Sequence, residues 1–153
     1  MADGIRELVR AILEESGTMV LSTCHNNTPW ASTLFFVSDN NFNIYFISRT
    51  TRRHSYEIEH NPNVAVAIAP PHKDFGSARG LQIEGRAKIL ELSQTDISYR
   101  LLQKKFPNLV ANLKMEQLKD SKSSHKIYKI TPKRFQLIHE ERFGIGEVIE
   151  VRI

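Results

Sequence analysis

The residue types best suited to chemistry in this chain lie between Ser48 and Pro62 (SRTTRRHSYEIEHNP). Ser48, Thr50, Thr51, Arg52, Arg53 and His54 place hydroxyls, guanidiniums and an imidazole where an alternating strand stops and a helix is expected to begin. That combination suits an anion. First-turn N–H groups are unpaired, the helix dipole is positive there, and an arginine fork matches phosphate oxygens. The same cluster reads equally well as a solvated basic face.

Other reactive residue types point elsewhere. Cys24, the one cysteine, excludes an internal disulfide and any multi-cysteine zinc site, and fits a reducing cytoplasm. Beside His25 in a strand it faces away from its neighbour, so packing is expected rather than a thiolate pair. The six histidines (25, 54, 60, 72, 125 and 139) show no helical i, i+4 pair and no metal spacing. Glu57 and Glu59 are expected on a solvated helix face. Trp30 and the phenylalanines at 35, 36, 42 and 46 are expected in the core.

The elements that must carry these residues follow from periodicity. Ile5, Leu8, Val9, Ile12 and Leu13 recur at helical spacing, predicting a helix over 4–16 that ends at Gly17. Strands are expected at Thr18–Cys24, Trp30–Ser38 and Asn43–Ser48, separated by turns at 25–28 and 39–41. A short helix over 51–60 and a buried strand over 64–69 come next. Pro70-Pro71 then opens a polar, mobile or ligand-facing loop to Ala78. Arg79–Leu92 reads as a long strand with a bulge or bend at Gly85. Ser93 is expected to cap a helix through Lys105, with a further short helix in 108–119. Lys126–Ile130 and Arg134–His139 read as two strands interrupted by Pro132, and Glu147–Ile153 as the last. The fold class is therefore mainly β with peripheral helices, a six- to seven-stranded antiparallel barrel in a single domain over 1–153.

Composition narrows the function. The chain has 153 residues, 41% hydrophobic and 25% charged, which is ordinary for one globular domain. No apolar run approaches the roughly 20 residues of a membrane helix, and charges at Asp3, Arg6, Glu7 and Arg10 argue against a signal peptide. A cytoplasmic protein is expected. Net charge is +4, from 21 basic and 17 acidic residues. The basic residues are scattered and no nucleic-acid-binding signature appears, so nucleic acid is a poor partner.

In order and spacing, TMVLSTC, WASTLFFVSD, NIYFIS, TTRRHSYEIEHNP, VAVAIA and GLQIEGRAKIL resemble the FMN-binding split barrel of the pyridoxamine 5′-phosphate oxidase superfamily. The resemblance covers residues 5–92 well and the tail loosely. It is nearest to small stand-alone members with elements like Thr51-Arg52-Arg53-His54, Gly80–Gly85 (GLQIEG) and Phe143–Gly146 (FGIG).

The resemblance implies a split β-barrel, an FMN cofactor, oxidation–reduction of a small molecule, and a homodimer with the flavin at the subunit interface. It implies that Ser32, with Thr33 beside it, lies along the flavin, where many relatives carry a basic residue at the first of these positions. Ser48 would lie near the ring. Arg53 and His54, eight and seven residues before Asn61, would hold the phosphate with Thr50, Thr51 and Arg52 nearby. His54 stands where lysine is usual and would grip phosphate best when protonated, below about pH 6.5. A family glutamine falls on Gly80, and Gln82, two residues on and on the same strand face, is the expected substitute. Phe143–Gly146 would complete the site from the partner chain. The vitamin B6 substrate signature, with its tryptophan and arginine, is missing from the C-terminal region. The alternatives are a non-catalytic split-barrel binding protein that has lost the flavin or holds it as a sensor or store, and a relative that uses a deazaflavin coenzyme or binds haem.

Overall fold

The computed structural model describes residues 3–152. Helix α1 (Asp3–Glu15) lays its apolar stripe inward, burying Val9, Ile12 and Leu13. Strands β1 (Thr18–His25) and β2 (Thr28–Phe35) form a hairpin with Thr18 opposite Phe35 and His25 opposite Thr28. Asn26 and Asn27 take φ of 49° and 57° in its two-residue turn. Asparagine tolerates that left-handed conformation, and it matches the strand twist.

The predicted strand 30–38 is two strands. Phe36, fully buried, donates its N–H to Gly17 O at 3.3 Å, one step past the Thr18–Phe35 pair where the β1–β2 ladder ends. The chain then joins β4 (Ile44–Arg49) through the short β3 (Val37–Ser38). Helix α2 (Arg53–His60) and strand β5 (Asn63–Ile68) follow. Beyond β5, the loop to Ala78 is tied down: Glu140 accepts N–H bonds from Gly76 at 2.7 Å and Ala78 at 3.1 Å.

Strand β6 (Arg79–Ile89) pairs with β7 (His125–His139), which runs unbroken through Pro132. The register shifts between Glu84 and Gly85, and Gly85 faces Pro132 there. Pro132 lacks a ladder donor and so fits this irregularity. Glycine is required opposite it, because an added Cβ would lie 2.9 Å from Thr131 O and 3.0 Å from Ile130 Cγ2.

Between β6 and β7 come a 3-10 turn (Leu92–Gln94) and helices α3 (Thr95–Lys105), α4 (Pro107–Val110) and α5 (Met115–Lys119). Ser93 lies inside the turn and does not cap α3. After β7, α6 (Glu140–Phe143) leads to β8 (Val148–Arg152), which pairs with β7. The predicted end of that strand, Ile153, lies outside the described residues.

The strand order β2-β1-β5-β6-β7-β4-β3, with β8 added on β7, curls one antiparallel sheet into a split barrel with peripheral helices. Leu21, Phe46, Ile83, Tyr128 and Phe135 pack inside it. Val37, Tyr45, Leu90, Leu102, Leu118 and Ile127 form a second cluster under α3 and α5.

Lys105 ties that helical layer to α1. Its Nζ donates to Leu13 O at 3.1 Å and Ser16 O at 2.6 Å, above the Phe36 ring at 4.5 Å. It satisfies carbonyls at a helix end that has no basic residue of its own. Lys105→Met keeps the stem and removes the charged donor, so it is expected to destabilise folding by about 1–3 kcal/mol. An unchanged urea midpoint would contradict this role.

Candidate functional site

Where β2 parts from β4, a groove of about 720 Å³ opens. Trp30, Ser32, Thr33, Leu34 and Phe35 line it from β2, and Ile47, Ser48 and Arg49 from β4. Arg52, Arg53 and His54 contribute from the start of α2. Leu102, Leu109, Asn112 and Leu113 close it from the helical layer, and His125 from the start of β7. One region is cationic and hydroxyl-rich, and another is apolar.

Helix α2 is positioned by its buried polar face. Ser55 Oγ donates to Arg49 O at 2.8 Å, holding the turn between β4 and the helix. His54, buried, reaches both edges of the split. Its Nε2 lies 2.7 Å from Ser48 Oγ and its Nδ1 3.2 Å from Ser32 Oγ. Burial lowers the imidazole pKa and the Arg52 charge lowers it further, against an opposing pull from Glu57. The ring is therefore neutral at pH 7: one hydroxyl donates to its bare nitrogen, and its N–H donates to the other. In this conformation His54 is a tie between strands, whereas the sequence suggests a protonated clamp.

Glu57 is not a solvated position. Its side chain is buried, accepts from Thr23 Oγ1 on β1, and accepts from Arg53 Nε at 3.0 Å. Burial pushes its carboxyl up, but the Thr23 and Arg53 hydrogen bonds and the Arg53 charge outweigh that and hold it below the ordinary 4.5. The sequence conceals this because an Arg-x-x-x-Glu pair on a short helix looks like surface charge.

Trp30 and Phe35 also depart from the expected core, at 44% and 53% exposure, because β2 is an edge strand. Phe36, Phe42 and Phe46 are in the core as expected. The Arg53 guanidinium carbon lies 4.2 Å from the Trp30 ring centroid. Stacked on one side and bonded to Glu57 through Nε, Arg53 is held in place at the groove wall.

Six of the nine residues singled out in the sequence therefore converge: Ser32, Thr33, Ser48, Arg52, Arg53 and His54. Thr50 and Thr51 are exposed in the turn and do not line the groove. Gln82 lies in a separate shallow groove of about 350 Å³ with Ser22, Ala65 and Gln136, on the outer sheet face. Sequence reasoning missed Arg49 and His125. Arg49 directly follows Ser48, but its partnership with His125 exists only through the β4–β7 register. Among the described residues no cluster of three or more His, Cys, Asp or Glu side chains is arranged to hold a metal ion. No helix among them is long and apolar enough to cross a membrane.

Comparisons with known proteins agree with this architecture. The UPF0306 protein PM1958 of Pasteurella multocida is 31% identical over 77 residues, 50% of this chain and 52% of that protein, so the match spans about half of each. The General Stress Protein 26 of Bacillus anthracis superposes with a TM-score of 0.71 at 23% identity, covering 97% of this chain and 98% of that one. A heme binding protein from Mycobacterium smegmatis superposes at 0.78 with 15% identity, over 96% of this chain and 57% of that one. At those identities the two structures speak for the fold alone. The profile of the pyridoxamine 5′-phosphate oxidase family matches residues 5–139, strands β1 to β7 and the groove between them, and the chain belongs to that family.

Proposed function

We propose that this chain is an FMN-binding flavoprotein that carries out oxidation–reduction on a small molecule. The observation that carries the reading is Arg53, held between Trp30 and Glu57 at the wall of a groove with a cationic and an apolar region. The residues present fit the group. Arg52, Arg53 and Thr33 offer donors to a phosphate, while Phe35, Leu102, Leu109 and Leu113 offer an apolar wall to a ring. The volume falls within the range of small-molecule sites.

When bound, the flavin ring supplies the hydride and electron chemistry. The chain's own residues bind and orient. Arg53 binds phosphate through a guanidinium whose position is already set, which reduces the ordering cost of binding. Glu57 and Trp30 orient Arg53. The leucines of the helical layer exclude water from the ring. His54 holds one proton between Ser48 and Ser32 and fixes which hydroxyl remains a donor. We assign no dedicated general acid or base.

Flavin is favoured over haem because both imidazoles of the groove already use ring nitrogens on protein partners. His54 bonds to two serines, and His125 Nε2 accepts from Arg49 Nε at 3.2 Å. A homodimer that completes the site is supported by exposed apolar side chains. Trp30 and Phe35 lie on the groove strand, and Ile145, at 68% exposure, lies in the Phe143–Gly146 segment.

Arg53→Ala is expected to weaken FMN binding by about 1.5–3 kcal/mol, the worth of a charge-assisted hydrogen bond. Flavin fluorescence titration reads it, and an unchanged affinity would place the phosphate elsewhere. Glu57 gives a pH signature. Its folded pKa is depressed, so its stabilisation is fully present above pH 4.5 and is lost as pH falls through the folded value. The stability gap between wild type and Glu57→Gln should therefore narrow from pH 7 toward pH 3. Urea midpoints that stay equally separated across that range would contradict the assignment.

A further inference from the structure

The groove carries more positive charge than one phosphate grip uses. Arg49, Arg52 and Arg53 all line it, and no aspartate or glutamate does. The carboxylate bonded to one of them, Glu57, belongs to Arg53. Among the described residues neither Arg49 nor Arg52 has an acidic side chain within ion-pair distance. Guanidiniums gathered in one concave site without counter-charge repel each other and concentrate anions from solution.

Arg49, the last residue of β4, has a different partner from Arg53. Arg53 stacks on Trp30 of β2, whereas Arg49 is the cross-strand partner of His125 on β7. Arg49 Nε donates to His125 Nε2 at 3.2 Å, which leaves the terminal nitrogens of the fork for a ligand. The backbone beneath it is pinned. Arg49 O accepts from Ser55 Oγ at 2.8 Å and from Arg52 N–H at 3.1 Å, and Thr50 N–H donates to Ser124 O at 2.8 Å. A side chain anchored at its base and held at Nε presents two parallel donors, the geometry that carboxylate and phosphate oxygens accept.

We propose that Arg49, positioned by His125, forms a second anion subsite in the groove, and that the small molecule acted on there carries a carboxylate or phosphate group. Naming this as the substrate class rests on the flavin reading; the subsite itself does not.

The test titrates the FMN-loaded full chain with succinate and with inorganic phosphate, followed by calorimetry and by flavin absorbance. Saturable binding of at least one of the two, at one site per chain, is expected. Arg49→Gln should weaken it at least about tenfold while changing FMN affinity less than about threefold. His125→Leu, which removes the acceptor, should weaken it, and His125→Gln, which keeps one, should restore most of it. A purely structural role for His125 would not separate the last two variants. No saturable binding of either anion, or equal binding by wild type and Arg49→Gln, would overturn the proposal. If the chain takes up no FMN, the flavin reading fails on its own. The succinate titration, read through Trp30 fluorescence, then still decides the subsite: loss in Arg49→Gln supports it and equal binding overturns it.

Discussion

Three buried polar side chains on one turn of α2 hold the site together. His54, Ser55 and Glu57 each bond to a different part of the barrel: the split edges of β2 and β4, the carbonyl at the end of β4, and the hydroxyl of Thr23 on β1. Burying three polar groups on a helix of eight residues is costly unless each finds a partner. Here each does, so the helix has one orientation. With that face turned inward, Arg52 and Arg53 must face the groove. The cationic wall is thus a consequence of how the helix is docked.

The charges are placed so that their interactions stay strong. Glu57 is buried, while the side chain of Arg53 is 44% exposed, so the pair joins a desolvated carboxylate to a cation still open to a ligand. A fully exposed pair would contribute little and would leave the guanidinium mobile. A fully buried pair would leave no donor for an anion and would add desolvation cost. The half-buried arrangement orients Arg53 and keeps its outer edge available. Thr23 supports Glu57 independently, so two hydrogen bonds fix the carboxylate that holds Arg53.

Much of the barrel is legible in the sequence because its signals are local. β-Rich runs mark β1 and β4, period-two alternation marks β6, the helical stripe marks α1, and Gly85 marks the bulge. Ser32, Thr33, Ser48, Arg52, Arg53 and His54 meet because family spacing encodes their convergence. What escaped depends on tertiary context. Trp30 and Phe35 have core residue types, but they are exposed because their strand ends the sheet. Pro132 reads as a strand break, yet the register shift opposite Gly85 absorbs it and β7 continues. Gln82 has the expected strand and parity but faces the outer side of the sheet. The Arg49–His125 pair joins positions 76 residues apart, so no local pattern announces it.

The central claim is that this groove grips the phosphate of a flavin nucleotide through a pre-set arginine. Parallel titration of the purified chain with FMN and with riboflavin, which differ only in that phosphate, tests it most directly. FMN is expected to bind at about one per chain and at least about tenfold more tightly than riboflavin, as one charge-assisted phosphate contact requires. Equal affinities, or no binding of either, would contradict the account.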